Sequence, residues 1–158
     1  PNIVPANTMN PIIKAAIRKE IKKPTGELTK ADLEKVTYLN LYNNQLTNVK
    51  GLEKLTKLEG LYLGANQLTD AKSLEMLTQL KKLDLDRNQL TSVKGLEKLT
   101  QLKWLYLNNN KLTDVKDLEK LTNLTSLNLR DNPDLTKAQI AELQKALPKL
   151  KIWSNPTK

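Results

Sequence analysis

A nine-residue phrase returns at a fixed interval through the middle of this chain, and that periodicity restricts the fold more than any other feature. Leu-Asn-Leu-Tyr-Asn-Asn-Gln-Leu-Thr at 39–47 comes back in close variants starting at 61, 83, 105 and 127, a step of 22 residues each time. Asn44, Asn66, Asn88, Asn110 and Asn132 keep the same step. A repeat of this length is one supersecondary unit that cannot bury its apolar side alone, so copies stack into a solenoid.

Each copy has two halves with different periods. Tyr38-Leu39-Asn40-Leu41-Tyr42 alternates apolar and polar and predicts a short strand, with equivalents near 60–64, 82–86, 104–108 and 126–130. In the second half the apolar residues stand three apart (Val49, Leu52, Leu55, Leu58, then Ala71, Leu74, Leu77, Leu80). That spacing fits a 3₁₀ turn, where residues i and i+3 eclipse, better than an α-helix. The expected fold is therefore α/β in class: a right-handed solenoid with a parallel concave sheet, short 3₁₀ turns on the convex side and helical caps. The recurring Asn sits where the chain leaves the strand, and its amide both donates and accepts, so it is expected to satisfy backbone groups inside the coil. Asn48, Asp70, Ser92 and Asp114 precede the turns and have the side chains of helix N-caps.

A single domain over 1–158 accounts for the length. Residues 1–10 hold two prolines and no period, and read as a loose lead-in. Residues 11–35 form a helical lid: Asn10 caps, Pro11 opens, and Ile12, Ile13, Ala16, Ile17 and Ile21 share a face. Five repeats fill 36–132. Residues 133–158 make the closing cap, with a capping box at Thr136 and Gln139. Leu150, Ile152 and Trp153 are expected to close the last layer, and residues 154–158 to be loose.

The residues absent from the chain exclude whole classes of chemistry. With no His and no Cys, the usual general base, the common transition-metal ligands and the thiol nucleophile are missing, and five glycines make no phosphate loop. No enzyme activity, metal or cofactor is expected. The net charge is +9, but residues 1–35, 36–133 and 134–158 each carry +3. Nucleic-acid binding calls for a focused patch, so no nucleic-acid partner is expected. No run of apolar residues reaches the length of a membrane span. The chain opens on Pro1 rather than Met, which fits a processed or excised chain, and a monomer is expected.

The aromatic residues point to a binding face. All four tyrosines (Tyr38, Tyr42, Tyr62, Tyr106) and one of two tryptophans (Trp104) fall at strand positions facing away from the core. Tyr and Trp dominate binding hot spots, although Tyr also suits strands for its own sake. Lys82, Asp84, Asp86, Arg87, Asn108 and Arg130 lie among them and would set charge preference. Asp84 and Asp86 are two residues apart and so share a side. An acid/base pair or a cation site is one reading; a solvated acidic patch beside Lys82 and Arg87 is the plainer one and is adopted here. The expected function is a protein-interaction scaffold with an unidentified protein partner on the concave face. A carbohydrate-binding module that stacks glycans on the same tyrosines is the alternative.

The phrase Leu102-x-x-Leu105-x-Leu107-x-x-Asn110-x-Leu112 resembles the leucine-rich repeat signature, in five copies over 36–135. The 22-residue length and short convex turns are similar to bacterial internalins and to the regulatory leucine-rich subunit of type-one protein phosphatase. The Ala-Leu-Pro-Lys ending at 146–149 resembles bacterial members. The resemblance implies a protein-binding horseshoe with its specificity on the concave face. It also implies a secreted, periplasmic or cell-surface place in a bacterium. The regularity is also what an idealised design would show.

Overall fold

The computed structural model describes residues 2–158. Six strands pair in parallel in one sheet, in chain order. They are β1 (Tyr38–Asn40), β2 (Gly60–Tyr62), β3 (Lys82–Asp84), β4 (Trp104–Tyr106), β5 (Ser126–Asn128) and β6 (Lys151–Trp153). The register is one repeat per rung: Leu39, Leu61, Leu83, Leu105, Leu127 and Ile152 stand side by side. Between strands the chain makes 3₁₀ turns at Leu52–Lys54, Lys72–Leu74, Leu96–Lys98 and Lys116–Lys120. Spacing of three apolar residues thus becomes the turn that eclipses them.

The strands are three residues long where alternation predicts five. The reason is a column of left-handed residues. Asn43, Ala65, Arg87, Asn109 and Asp131 all have φ between 51° and 58°. This conformation bends the chain off the sheet, although Asn43 N still donates to Gly64 O at 2.9 Å and Ala65 N to Asp86 O at 2.9 Å.

All seven inward positions of the first repeat, Leu39, Leu41, Leu46, Val49, Leu52, Leu55 and Leu58, are buried, and their equivalents build one continuous core. Within it the asparagines form a ladder. Asn88 Oδ1 accepts from Leu68 N at 3.0 Å, and its Nδ2 donates to Leu63 O at 3.0 Å and Leu85 O at 3.1 Å. Asn110 repeats this with Leu90 N, Leu85 O and Leu107 O. Each inner carbonyl is therefore shared by two rungs. Asn44 is the exception: with no layer before it, its amide reaches only Tyr42 O and the side chain is half-buried.

Asn48, Asp70, Ser92 and Asp114 do not cap the 3₁₀ turns. Each accepts from the backbone N–H two residues on, at 2.9–3.1 Å, and so makes a small turn ahead of the 3₁₀ segment. The positions that precede the helical turns are Gly51, Ala71, Gly95 and Val115, none of which caps through a side chain.

Helices α1 (Pro11–Glu20) and α2 (Lys30–Glu34) lie over the first repeat, and α3 (Lys137–Ala146) over the last. Asn10 Oδ1 accepts from Ile12 N at 2.9 Å, and Ile13 and Ile17 are fully buried. The helix stops before the Pro24-Thr25-Gly26 segment, because Lys22 turns left-handed at φ 56°. The α2 N-terminus has a reciprocal box between Thr29 and Asp32. Lys23 Nζ lies 2.7 Å from Asp32 and, with the Thr29 N–H, holds that carboxyl well below the usual range.

Two segments that read as loose are held. Val4 N donates to Leu28 O and Lys30 N to Asn2 O, both at 2.8 Å, so the lead-in pairs antiparallel with the segment before α2. At the other end Asn155 exchanges bonds with Asp131, at 2.7 Å from its N–H and 2.9 Å to its carboxylate, and Lys137 N donates to Lys158 O at 2.7 Å. Trp153 does not close the core. It pairs in register with Asn128 and stands half-buried on the open face, while Ile152 takes the inward position.

Candidate functional site

The outward side chains of the sheet form three rows, set by register alone. The first holds Tyr38, Gly60, Lys82, Trp104, Ser126 and Lys151; the second holds Asn40, Tyr62, Asp84, Tyr106, Asn128 and Trp153. Tyr42, Gly64, Asp86, Asn108 and Arg130 follow two residues later in each repeat. Adjacent strands lie about 4.8 Å apart, so neighbours in a row are in reach of one another. The structure brings ten of the eleven expected residues onto one face, with the eleventh, Arg87, beside it at the left-handed bend.

The aromatics differ in how they present themselves. Tyr38, Tyr42 and Trp104 are exposed, whereas Tyr62 and Tyr106 are half-buried within the second row. Glycine explains the first two. A Cβ on Gly60 would collide with the Tyr38 ring, and one on Gly64 would meet both Asp86 Oδ1 and the Tyr42 ring. The tyrosines of repeat one therefore lie over bare backbone of repeat two. Trp104 is engaged on one ring face by Lys82, whose Nζ sits 4.0 Å from the centroid. Lys151 makes the same contact with Trp153 at 4.7 Å.

The acidic pair is not a solvated patch. Asp84 is half-buried, and its Oδ1 accepts from Asp86 N at 2.9 Å. Asn40 and Asn128 make the same bond to the N–H two residues on, so an uncharged amide serves this register elsewhere. Burial, and then the adjoining Asp86 carboxyl, push Asp84 up to about 7. Asp86 Oδ2 faces Arg87 Nε at 3.6 Å, and Arg87 Nη1 donates to Tyr42 Oη at 3.2 Å. Asp86 Oδ1, pressed over Gly64, is buried without a donor.

Sequence reasoning put Trp153 in the closing layer and missed Lys151, because the last repeat is lengthened and the step to β6 is 25 residues rather than 22. Alternation at 150–153 was a usable signal. It also passed over Gly60 and Gly64, where glycine in an outward strand position beside tyrosine is a recognisable pattern.

A family model for leucine-rich repeats in two copies matches residues 34–75, 57–98, 78–120 and 100–145. The chain belongs to the leucine-rich repeat family. Internalin InlF of Listeria monocytogenes superposes with a TM-score of 0.82 at 30% identity, over 98% of this chain and 47% of that one. A leucine-rich repeat protein of Leptospira interrogans gives 0.69 at 34% identity, over 80% and 33%. InlJ of L. monocytogenes gives 0.68 at 25% identity, over 92% and 37%. This chain thus spans about half of InlF and about a third of the other two, and it is an internalin-like repeat protein of bacterial type. The InlJ domain includes a cysteine ladder; this chain has no Cys, and its own ladder is asparagine. Curated protein sequences give no match. Among the described residues no helix is long and apolar enough to cross a membrane.

Proposed function

We propose that this chain is a protein-binding module whose open strand face takes up a polypeptide partner. The carrying observation is the continuous outward row Tyr62, Asp84, Tyr106, Asn128 and Trp153, with Trp104 beside it. Aromatic rings lose little conformational freedom on binding and contribute large contact areas, while charges between them discriminate among partners. The fold supports the reading, since an internalin-like solenoid is suited to scaffolding protein interactions. Likeness to Listeria and Leptospira proteins supports a secreted or surface place in a bacterium. No catalytic role is assigned to any residue.

The carbohydrate alternative draws less support. Glycan stacking would use the free faces of Tyr38 and Trp104, whose other faces meet Gly60 and Lys82, and the charged groups at the centre of the face favour a polypeptide instead.

A display library of folded domains and peptides, selected on wild type, tests the reading. Trp104→Ala or Tyr106→Ala should each weaken selected binders by at least about 1–2 kcal/mol, and Lys98→Ala on the turn side should leave them unchanged. Binders that survive both face substitutions and fail with Lys98→Ala would place the site on the turn side instead.

A further inference from the structure

Two acidic side chains, Asp84 and Asp86, stand at the centre of the open face of a chain whose net charge is +9. Asp84 lies there between Tyr62 on β2 and Tyr106 on β4, each its direct register partner. Two strand spacings, about 9–10 Å, separate the tyrosine columns, leaving one side chain's width above the carboxylate.

The cations nearby are engaged elsewhere. Lys82 shares the face and the strand with Asp84, but its ammonium sits over Trp104. Arg87 serves Asp86 Oδ2 and the Tyr42 hydroxyl. Among the described residues Asp84 enters no ion pair within 4.0 Å. Asp86 Oδ1 beside it is closed off from the surface over Gly64. The site thus offers a carboxyl that no cation of the chain pairs, set between two aromatic rings. Both features attract a cation bearing N–H groups.

We propose that Asp84, flanked by Tyr62 and Tyr106, seats one lysine or arginine side chain of the polypeptide partner. This rests on the reading of the open face as protein-binding and specifies the chemistry that partner must present. The surrounding charges extend the specification. Lys103 and Arg130 are exposed near the strand ends, so a fitting partner carries its cation at the centre of the contact and neutral or acidic groups around it. The raised Asp84 carboxyl fits the same role, since an arriving cation favours the ionised form and draws the proton off.

Asn40 and Asn128 supply the natural control. Asp84→Asn keeps the hydrogen bond to the backbone of residue 86 and removes only the charge, so folding is preserved. The experiment is an NMR titration of the ¹⁵N-labelled full chain at pH 8. The probes are acetyl-Gly-Arg-Gly-amide, its lysine counterpart and its uncharged citrulline counterpart. A weak, saturable shift of the amides of residues 62, 84, 86 and 106 is expected with the cationic peptides. Binding should fall at least about fivefold with the citrulline peptide and with Asp84→Asn. Equal shifts with citrulline, equal binding by Asp84→Asn, or no saturable shift at these amides would each overturn the proposal. The two readings fail separately. Library binders that need Trp104 and Tyr106 but carry no cation and ignore Asp84→Asn would sink this inference and leave the protein-binding face standing. Peptide shifts at 62, 84, 86 and 106 without any face-dependent library binder would leave a cation seat on a face that takes up no polypeptide, and so sink the protein-binding reading.

Discussion

Alanine at the second rung of the asparagine ladder should cost more than alanine at its middle. Intuition ranks the central Asn88 first, but the hydrogen bonds rank it lower. Removing its amide orphans one buried group, Leu68 N–H. The carbonyls it served keep other donors: Leu63 O retains Asn66 Nδ2, Leu85 O retains Asn110 Nδ2, and Asp86 O retains Ala65 N. At Asn66 there is no complete rung before it to share the load. Its loss orphans Leu46 N–H and Leu41 O together, besides the more exposed Asn44 N–H. A buried group left unpaired costs about 1–3 kcal/mol, so Asn88→Ala should lose about 1–3 kcal/mol and Asn66→Ala about 2–5 kcal/mol. The small void left by each truncation is alike and cancels in the comparison. Asn44→Ala, near the surface with one bond to Tyr42 O, should lose less than about 1 kcal/mol. Urea melts at constant slope give all three values. If Asn88→Ala proves as costly as Asn66→Ala, the sharing of carbonyls between rungs is not what holds the interior together.

Other consequences are more direct. Asp84 is raised to about 7 in the fold and titrates near 3.9 when unfolded, so the native state holds the extra proton between those values and stability falls as pH rises from about 4 to about 7. The whole shift corresponds to roughly 4 kcal/mol, and solvent access to the half-exposed pair reduces the expected loss to about 1–2 kcal/mol. Denaturant melts of Asp84→Asn across that window should show the loss abolished, and an unchanged pH profile would mean Asp84 is ionised throughout. Ala65 occupies a left-handed position, φ 54°, where three of the five equivalents are Asn or Asp. Ala65→Asn should therefore stabilise by about 0.5–1 kcal/mol, read as a raised urea midpoint, and a lowered midpoint would refute the strain.

The architecture was legible because it is carried by columns, and a column repeats its evidence. Leucines at period two and period three told strand from 3₁₀ turn, and the fixed Asn declared an interior role that the hydrogen bonds bear out. Strand length was not legible, since the left-handed bend falls on Asn, Ala, Arg, Asn and Asp in turn, and Ala and Arg in the middle repeats break the Asn/Asp pattern. The held lead-in and tail escaped for a related reason: backbone bonds such as Val4 N to Leu28 O leave little trace in residue type. The outward set of tyrosines was readable from alternation alone. That Asp84 and Asp86 are withdrawn from water was not, because the withdrawal depends on Gly64 in the neighbouring repeat, two strands from Tyr106.

The bond from Arg87 to the Tyr42 hydroxyl has a mechanical consequence. Other side-chain bonds between layers of the solenoid join neighbours, as the ladder does at separations of 20 and 25 residues. Arg87 and Tyr42 are 45 residues apart and meet across the layer that Gly64 leaves bare. Under tension applied at its two ends, a stack joined only between neighbours would peel one layer at a time. A strap across three layers makes the first part of this stack resist as a block, so peeling should begin from the C-terminal side.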